Sequence, residues 1–538
     1  MKCRFELLTL LLCASSLSAQ SKPAQLFSGM GNLHHPIATR SEEAQKYFDQ
    51  GLTFCYAFNH EAAVKSFERA AELDPSAAMP LWGIAYALGP NINLDVDPEH
   101  EKAAYEAVQK AIALSAGAPE NERAYIAALA RRYSNDPKAD LKKLGADYAA
   151  AMKQLSQRYA DDLDAATLYA EALMDLNPWK FWSADGKPAE GTEEIVSVLE
   201  SVLRRDPNHI GANHFYIHAL EASPHPEYAL ASAHRLETLV PAAGHLVHMP
   251  AHIYIRTGDY MAAMRSNDRA ARADEAFFRA AGSQGNLYAT MYYSHNLHFL
   301  AVASGMAGNY AAAKKASNEL VANVTPALDA MPMAEWFLPV STFIELRFAR
   351  WDKILSASAP PAKLQLMTAV WHYARGVAFA AKGDVKNAEA EGAALAGVRK
   401  AIPADTPYGF NGAQTIFELA AHVLDGRIEM ARGNRAAAIE HFRKAVEIQD
   451  SLAYDEPPDW YYPVRETLGA ALLLNGQPAE AERVFRADLE RNPRNGRSLF
   501  GLEKSLEARR KTADAAWVRR EFESAWQGAD TTLRLEDF

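Results

Sequence analysis

The feature that most constrains the fold is an internal repeat in which small and aromatic residues return at fixed positions. Residues 44–77 and 462–495 share a glycine, an alanine, a phenylalanine and a proline at the same offsets, and residues 419–452 share the first three. Small residues let two helices approach closely, the aromatic ring fills the gap to the next unit, and proline stops a helix. The pattern therefore predicts stacked helix–turn–helix units. The repeated residues are Gly51, Ala63, Phe67 and Pro75, then Gly426, Ala438 and Phe442, then Gly469, Ala481, Phe485 and Pro493.

Weaker copies of the unit fill much of the remaining chain, and strand signals are nearly absent. The recurring glycine, aromatic, alanine and proline resemble the tetratricopeptide repeat (TPR). The resemblance implies an all-α fold, a right-handed TPR-type helical solenoid of helix–turn–helix repeats, over most of residues 44–530. The weaker copies begin near Ala78, Ile210, Gly244, Ser294 and Ala369.

The chain begins with a pattern typical of a secretory signal peptide. Lys2 and Arg4 precede a short apolar run, and small residues precede Gln20. No later run is apolar enough to predict a transmembrane helix, so we expect an extracytoplasmic protein, periplasmic or secreted. The predicted segments are 1–19, the signal peptide; 20–43, an N-terminal segment; 44–205, TPR-like repeats with insertions; 206–325, histidine-rich central repeats; and 326–538, C-terminal repeats.

Charge and cysteine content narrow the partners. The formal net charge is −11 with lysine and arginine scattered, which argues against nucleic acid as the main partner. Of the three cysteines only Cys55 lies outside the predicted signal peptide, so no intramolecular disulfide is expected.

Histidines recur at helical spacing in three central segments. Seven of the 17 histidines of the chain lie there, three or four residues apart within each segment. Such offsets place side chains on one stripe of a helix, and neutral imidazole is the commonest metal ligand. The stripes predict a metal site built from His214, His218 and Glu221, then His245, His248 and His252, then His295 and His298.

The TPR resemblance implies that the three histidine stripes face the same side of the solenoid. In that family the second, fifth, ninth and twelfth places of each first helix face the concave groove. Counted from Ile210, Gly244 and Ser294, the seven histidines and Glu221 occupy such places. The favoured ligand set is His214, His218, His248 and His252, with Glu221 as a ligand or as an imidazole-orienting partner. The hypothesis is two metal positions, the second formed by His245, His295 and His298, or one metal ion surrounded by the further histidines.

Ligand type leaves the metal open. Imidazole suits Zn, Cu, Fe and Ni, and no cysteine lies near the stripes. An extracytoplasmic all-histidine site favours Cu or Zn over Fe. An open ligand position would allow catalysis, but no HExxH or GxSxG motif identifies a reaction, so enzymatic activity stays undecided. The pattern from Asn213 to Ile253 is similar to a branch of secreted bacterial TPR proteins, and that resemblance implies no reaction.

Two other functions compete with a metal site. The usual TPR role is that of an adaptor that binds a peptide or protein segment in the groove, with histidines as recognition groups. The third interpretation is a site for a glycan or a small organic ligand, because Trp82 and Tyr86 fall at groove-facing places. The alternative is that these two aromatic residues only pack in the core. Insertions at residues 89–100, 177–190 and 274–293 break the repeat and are candidate binding loops. Pro250 predicts a kink of the helix between His248 and His252, with simple superhelix curvature as the alternative.

Overall fold

The computed structural model of the protein describes residues 24–282 and 285–538, so the predicted signal peptide lies outside the described residues. Within the described residues the fold is the predicted all-α, TPR-type helical solenoid, and none of its helices is long and apolar enough to cross a membrane. The N-terminal helices are α1 (Glu42–Tyr56), α2 (His60–Leu73), α3 (Met79–Ala87), α4 (Pro98–Leu114), α5 (Glu120–Leu129), α6 (Leu141–Arg158), α7 (Leu163–Met174) and α8 (Thr192–Arg205).

The central and C-terminal helices continue the same succession of hairpins. The central helices are α9 (Ile210–Leu220), α10 (Leu230–Leu239), α11 (Gly244–His248), α12 (Pro250–Thr257), α13 (Tyr260–Ala281), α14 (Ser294–Met306) and α15 (Tyr310–Val324). The C-terminal helices are α16 (Val340–Arg347), α17 (Trp351–Ser356), α18 (Gln365–Ala381), α19 (Val385–Ala401), α20 (Ala413–Arg432), α21 (Arg435–Asp450), α22 (Val464–Leu474), α23 (Pro478–Arg491), α24 (Gly496–Ala508) and α25 (Thr512–Ala525).

Short elements occupy several connections. A two-stranded antiparallel hairpin pairs β1 (Pro407–Tyr408) with β2 (Asn411–Gly412). A π-helical turn, Ala289–Tyr293, leads directly into α14. The 3₁₀ turns are Ser115–Gly117, Pro226–Ala229, Thr325–Ala327, Pro332–Phe337 and Leu535–Asp537.

The repeated glycines and phenylalanines are the contacts that set the helix spacing. Phe67 of α2 lies against Gly51 of α1 and Gly83 of α3, where an added Cβ would lie 2.6 and 2.5 Å from its ring. Phe485 of α23 packs against glycines of α22 and α24 in the same way. The repeat pattern thus works as predicted, because only glycine lets these helix backbones reach the ring.

Turns between helices also follow the sequence. Gly258 adopts φ +80°, a left-handed conformation that favours glycine, and Asp259 then accepts a hydrogen bond from the Ala262 N–H to cap α13. At Pro250, where a kink is predicted, the helix is interrupted: α11 ends at His248 and α12 begins at Pro250.

Both ends of the solenoid return to its centre. In the N-terminal part α1 packs on α9, with the Tyr56 ring against Gly211. In the C-terminal part the Asp530 carboxylate accepts hydrogen bonds from the N–H groups of Tyr310 and Ala311, which begin α15. The central helices are therefore enclosed by chain on both sides.

Candidate metal centre

The histidine helices begin where the repeat register predicted. Helices α9, α11 and α14 start at Ile210, Gly244 and Ser294. Six of the seven histidines are at most 2% exposed, and His295 is half-buried. The side chains lie in the protein interior, where Phe58 and Trp179 pack against the rings and Tyr454 contacts Glu221.

The first trio consists of His214 and His218 of α9 and His245 of α11. One ring nitrogen from each lies within 4.8 Å of the others. The Nε2 atoms of His214 and His245 are 3.2 Å apart, and Nε2 of His218 is buried without a hydrogen-bond partner among the described residues. The Phe58 ring stacks on His218 and His245 and closes one side of this trio.

The second trio consists of His248 of α11, His252 of α12 and His295 of α14. Its ring nitrogens also lie within 4.8 Å of one another, and the Nε2 atoms of His248 and His252 are 2.8 Å apart. The Phe299 ring lies 4.6–4.9 Å from all three imidazole rings. The two trios adjoin, since the ring centres of His218 and His252 are 5.5 Å apart.

Oxygen acceptors fix the orientation of four rings. Nδ1 of His214 lies 2.7 Å from the Tyr56 carbonyl, and Nδ1 of His248 lies 2.6 Å from Oδ1 of Asn267. The Asn267 amide itself donates to the Ala263 carbonyl, which settles its direction. Nδ1 of His218 and of His252 each meet a Glu221 oxygen. Because carbonyls and carboxylates only accept, Nδ1 carries the proton in each ring and the Nε2 lone pair points into a trio.

Glu221 bridges the two trios from behind the rings. Its Oε1 lies 2.6 Å from Nδ1 of His218, and its Oε2 lies 2.5 Å from Nδ1 of His252. Of the two roles expected for this carboxylate, the geometry matches that of an imidazole-orienting partner. This carboxylate–imidazole pairing is the arrangement that orients ligand rings in metal sites.

The structure groups the histidines differently from the prediction. His245 joins the α9 pair, and His295 joins the pair from α11 and α12, so the favoured set of two α9 rings with His248 and His252 is divided. Each trio consists of two histidines one helical turn apart and a third from the next histidine-bearing helix. In the second trio the pair is divided between two helices, because α12 begins at Pro250 and contains His252.

His298 belongs to neither trio. Its ring lies among Trp336, Phe337 and Tyr461, and both of its nitrogens lack a hydrogen-bond partner among the described residues. Burial lowers the pKa of His298 to about 3. The predicted position formed by His245, His295 and His298 is therefore not present.

Burial keeps the imidazoles in the form that binds metals. It lowers the pKa of four rings well below the usual histidine value of 6.5, and neighbouring imidazoles lower the pKa further. The four rings are His214, His245, His248 and His295. Burial opposes ionisation of Glu221, yet the two imidazoles hold the pKa of its carboxyl far below the usual range.

Several residues of the site were not predicted. Asn267 is a polar residue on the otherwise alanine-rich buried face of α13, and that placement is a signal that sequence offers. Tyr454, whose hydroxyl lies 3.2 Å from Oε2 of Glu221, comes from a segment without repeat pattern 233 residues away, so no local signal exists for it. Trp179, from the aromatic insertion, meets the His218 ring edge to face at 5.3 Å.

Other candidate residues lie elsewhere. The rings of Trp82 and Tyr86 stack on each other in the apolar core, in agreement with the packing alternative. His35 meets Asp164, whose other oxygen accepts from Tyr56, so this polar group is satisfied within the fold.

The comparisons with known proteins are distant. No protein-family model and no curated protein matches the chain. A human IFIT1 dimer with m7Gppp-AAAA is similar at 12% identity over 91% of each chain, with a TM-score of 0.32. Yeast Tom70 is similar at 11% identity over 89% of this chain and 90% of that chain, with a TM-score of 0.28. These values are too low for the ligands of those proteins to bear on this chain.

Proposed function

We propose that this chain is an extracytoplasmic metalloprotein that binds transition-metal ions in the two histidine trios. Cu or Zn is favoured over Fe, and each trio holds one ion. The solenoid serves as a rigid scaffold that brings α9, α11, α12 and α14 together around the ions.

The observation that carries the proposal is the facing pair of Nε2 atoms in the second trio. The Nδ1 protons of His248 and His252 point to Asn267 and Glu221, so two lone pairs meet at 2.8 Å in the protein interior. Two acceptors repel each other unless a cation lies between or beside them. A metal ion satisfies both nitrogens and a third from His295.

The spacing in the first trio and the charge of the centre agree with bound metal. Two nitrogens that bind one tetrahedral zinc ion at about 2.0–2.1 Å lie roughly 3.3 Å apart, close to the 3.2 Å between His214 and His245. No permanently charged side chain lies at hydrogen-bond distance from the buried Glu221 carboxylate, and a nearby metal cation supplies a neutralising charge. Three histidine ligands leave a fourth position for water or substrate, the arrangement of catalytic rather than structural zinc sites.

The metal-free alternative places a proton between His248 and His252. One imidazolium would satisfy that contact, but it would leave Nε2 of His218 without a partner. Elemental analysis separates the two. Protein made without a histidine tag and offered Cu or Zn is expected to hold about two ions per chain, both visible in an anomalous-scattering map. Metal at or below about 0.2 equivalents would overturn the proposal.

An adaptor that captures a peptide segment is the second candidate. A cavity of about 1530 Å³ adjoins the centre, and this volume exceeds the roughly 300–1,000 Å³ of most small-molecule sites. In that case partner binding would be indifferent to a chelator, whereas a substrate of the metal centre would lose its turnover.

A further inference from the structure

Three of the segments that break the repeat meet at one place. The cavity of about 1530 Å³ is lined by residues of the long turn at 90–95, of the aromatic insertion at 178–189 and of the non-repeat segment at 452–463. The first two coincide with insertions that the sequence singled out as candidate binding loops. Long irregular segments gathered around one cavity are typical of ligand sites.

Three residues separate this cavity from the histidine centre. Trp179, Arg256 and Tyr454 all line the cavity. On their other side the Trp179 ring meets His218, the Tyr454 hydroxyl meets Oε2 of Glu221, and Nε of Arg256 donates to the Glu221 carbonyl. A ligand that contacts any of these three residues is thus one side chain away from Glu221 or from the His218 ring that Glu221 orients.

Arg256 differs from the other arginines of the cavity wall. Arg132 pairs with Asp175, and Arg465 pairs with Asp450. Arg256 donates only to the backbone carbonyls of Glu221 and Ser223, and among the described residues no carboxylate lies within 4.0 Å of it. Its guanidinium is half-buried and keeps its positive charge, so it favours an anion in the cavity.

Flat rings surround the same corner. The Arg256 guanidinium lies over the Tyr454 ring at 5.6 Å, and Trp179 packs against Phe410 at 5.4 Å. Phe410 is 50% exposed although it is apolar, and it too lines the cavity. Exposed aromatic surface inside a cavity favours a ligand with a flat apolar part.

We propose that this cavity is the substrate chamber of the histidine centre and that its corner at Arg256 binds a planar organic anion of the aromatic carboxylate class. The carboxylate contacts the Arg256 guanidinium, and the ring lies among Trp179, Phe410 and Tyr454. The role as a chamber for the centre rests on the proposed metal function, whereas binding of the anion does not.

The test compares 2-naphthoate with the uncharged 2-naphthamide by calorimetry on the full mature chain, both metal-loaded and metal-free. We expect the anion to bind at least about tenfold more tightly than the amide in both forms, since a charge-assisted hydrogen bond distinguishes them. Arg256→Gln is expected to remove this preference. Arg272→Gln, which makes the same charge change on an exposed face of α13, is the matched control and is expected to keep it.

The other outcomes either overturn the anion site or separate it from the metal function. Equal affinity for acid and amide, or an unchanged preference in Arg256→Gln, would overturn the anion site. A preference seen only in the metal-loaded chain would mean that the carboxylate binds the metal rather than Arg256, and would overturn it as well. Naphthoate binding in a chain that takes up no metal would keep the anion site while the metal function fails.

Discussion

Two buried glutamates, one in the histidine centre and one in the C-terminal repeats, show two ways of burying a carboxylate. Glu466 of α22 accepts from Arg347 and Arg497 on Oε2 and from Asn495 on Oε1. Glu221 accepts from two imidazoles and a tyrosine hydroxyl. The arginines are permanently charged, so the C-terminal cluster is neutralised by the protein itself.

The centre around Glu221 has no comparable permanent charge at hydrogen-bond distance from the carboxylate. Its imidazole partners are His218 and His252, which carry no permanent charge, and Nε2 of His252 meets Nε2 of His248 at 2.8 Å. In a structural cluster the polar groups find their hydrogen-bond partners within the protein, whereas in a binding site some of them lack a partner until the ligand binds. Glu466 therefore stabilises the fold, whereas the surroundings of Glu221 support the proposed metal function.

Removal of a trio histidine is expected to have the largest effect on metal binding. His252→Ala deletes one ring of the second trio and its contact with Glu221, so we expect that trio to lose its ion. The fall in metal affinity should exceed the roughly 100-fold loss that follows, at most, from changing a residue that only orients a ligand. Metal content by elemental analysis, with circular dichroism for the fold, checks this.

His298→Ala is the matched control for that change. It removes another buried imidazole of the same stripe pattern, but one enclosed by Trp336, Phe337 and Tyr461. We expect both ions to remain. Loss of metal in His298→Ala, with retention in His252→Ala, would contradict the grouping of the rings described here.

The two glutamates can be compared directly by the same substitution. Glu221→Gln keeps the shape but removes the charge that orients His218 and His252, so metal affinity is expected to fall about 10- to 100-fold with little loss of stability. Glu466→Gln leaves two buried arginines without their carboxylate and is expected to cost about 3–5 kcal/mol of unfolding free energy. Titration with a competing chelator and urea unfolding measure the two effects. A large loss of stability in Glu221→Gln, together with an unchanged stability in Glu466→Gln, would contradict the distinction between the two glutamates.

Much of this centre was predictable because it depends on helical spacing. The register that starts repeats at Ile210, Gly244 and Ser294 is repeated along the chain, and an offset of four residues places His214 beside His218 on any α-helix. Helix class and the break at Pro250 follow from equally local rules.

The grouping of the rings was not predictable in the same way. Which ring meets the pair from a neighbouring helix depends on how far helices are displaced along their axes, and single-sequence spacing carries no such information. Tyr454 and Trp179 reach the centre from segments outside the repeats. Because these segments have no repeat register, the sequence offers no way to predict where their side chains lie.

Acid is expected to destabilise the metal-free histidine centre. Burial lowers the pKa of His245 and its neighbours below the usual 6.5, so the unfolded chain binds protons that the folded chain does not. The stability contributed by these groups is therefore complete above pH 6.5 and is lost as the pH falls below that value. The loss is about 1.4 kcal/mol per pH unit for each such histidine. Urea unfolding in chelator at a series of pH values should show a shallower dependence of stability on pH in His245→Ala than in the unchanged chain.

The smallest effect is expected from Pro250→Ala. Proline at the start of α12 lacks an N–H and separates His248 from His252, so alanine would allow a continuous helix with the two rings one regular turn apart. Because Asn267 and Glu221 still hold both Nδ1 atoms, we expect the rings to keep their direction and the metal affinity to change by less than about tenfold. A larger loss of metal, measured against chelator, would mean that the helix break rather than the oxygen acceptors aims the second trio, and Glu221→Gln would then have the weaker effect of the two.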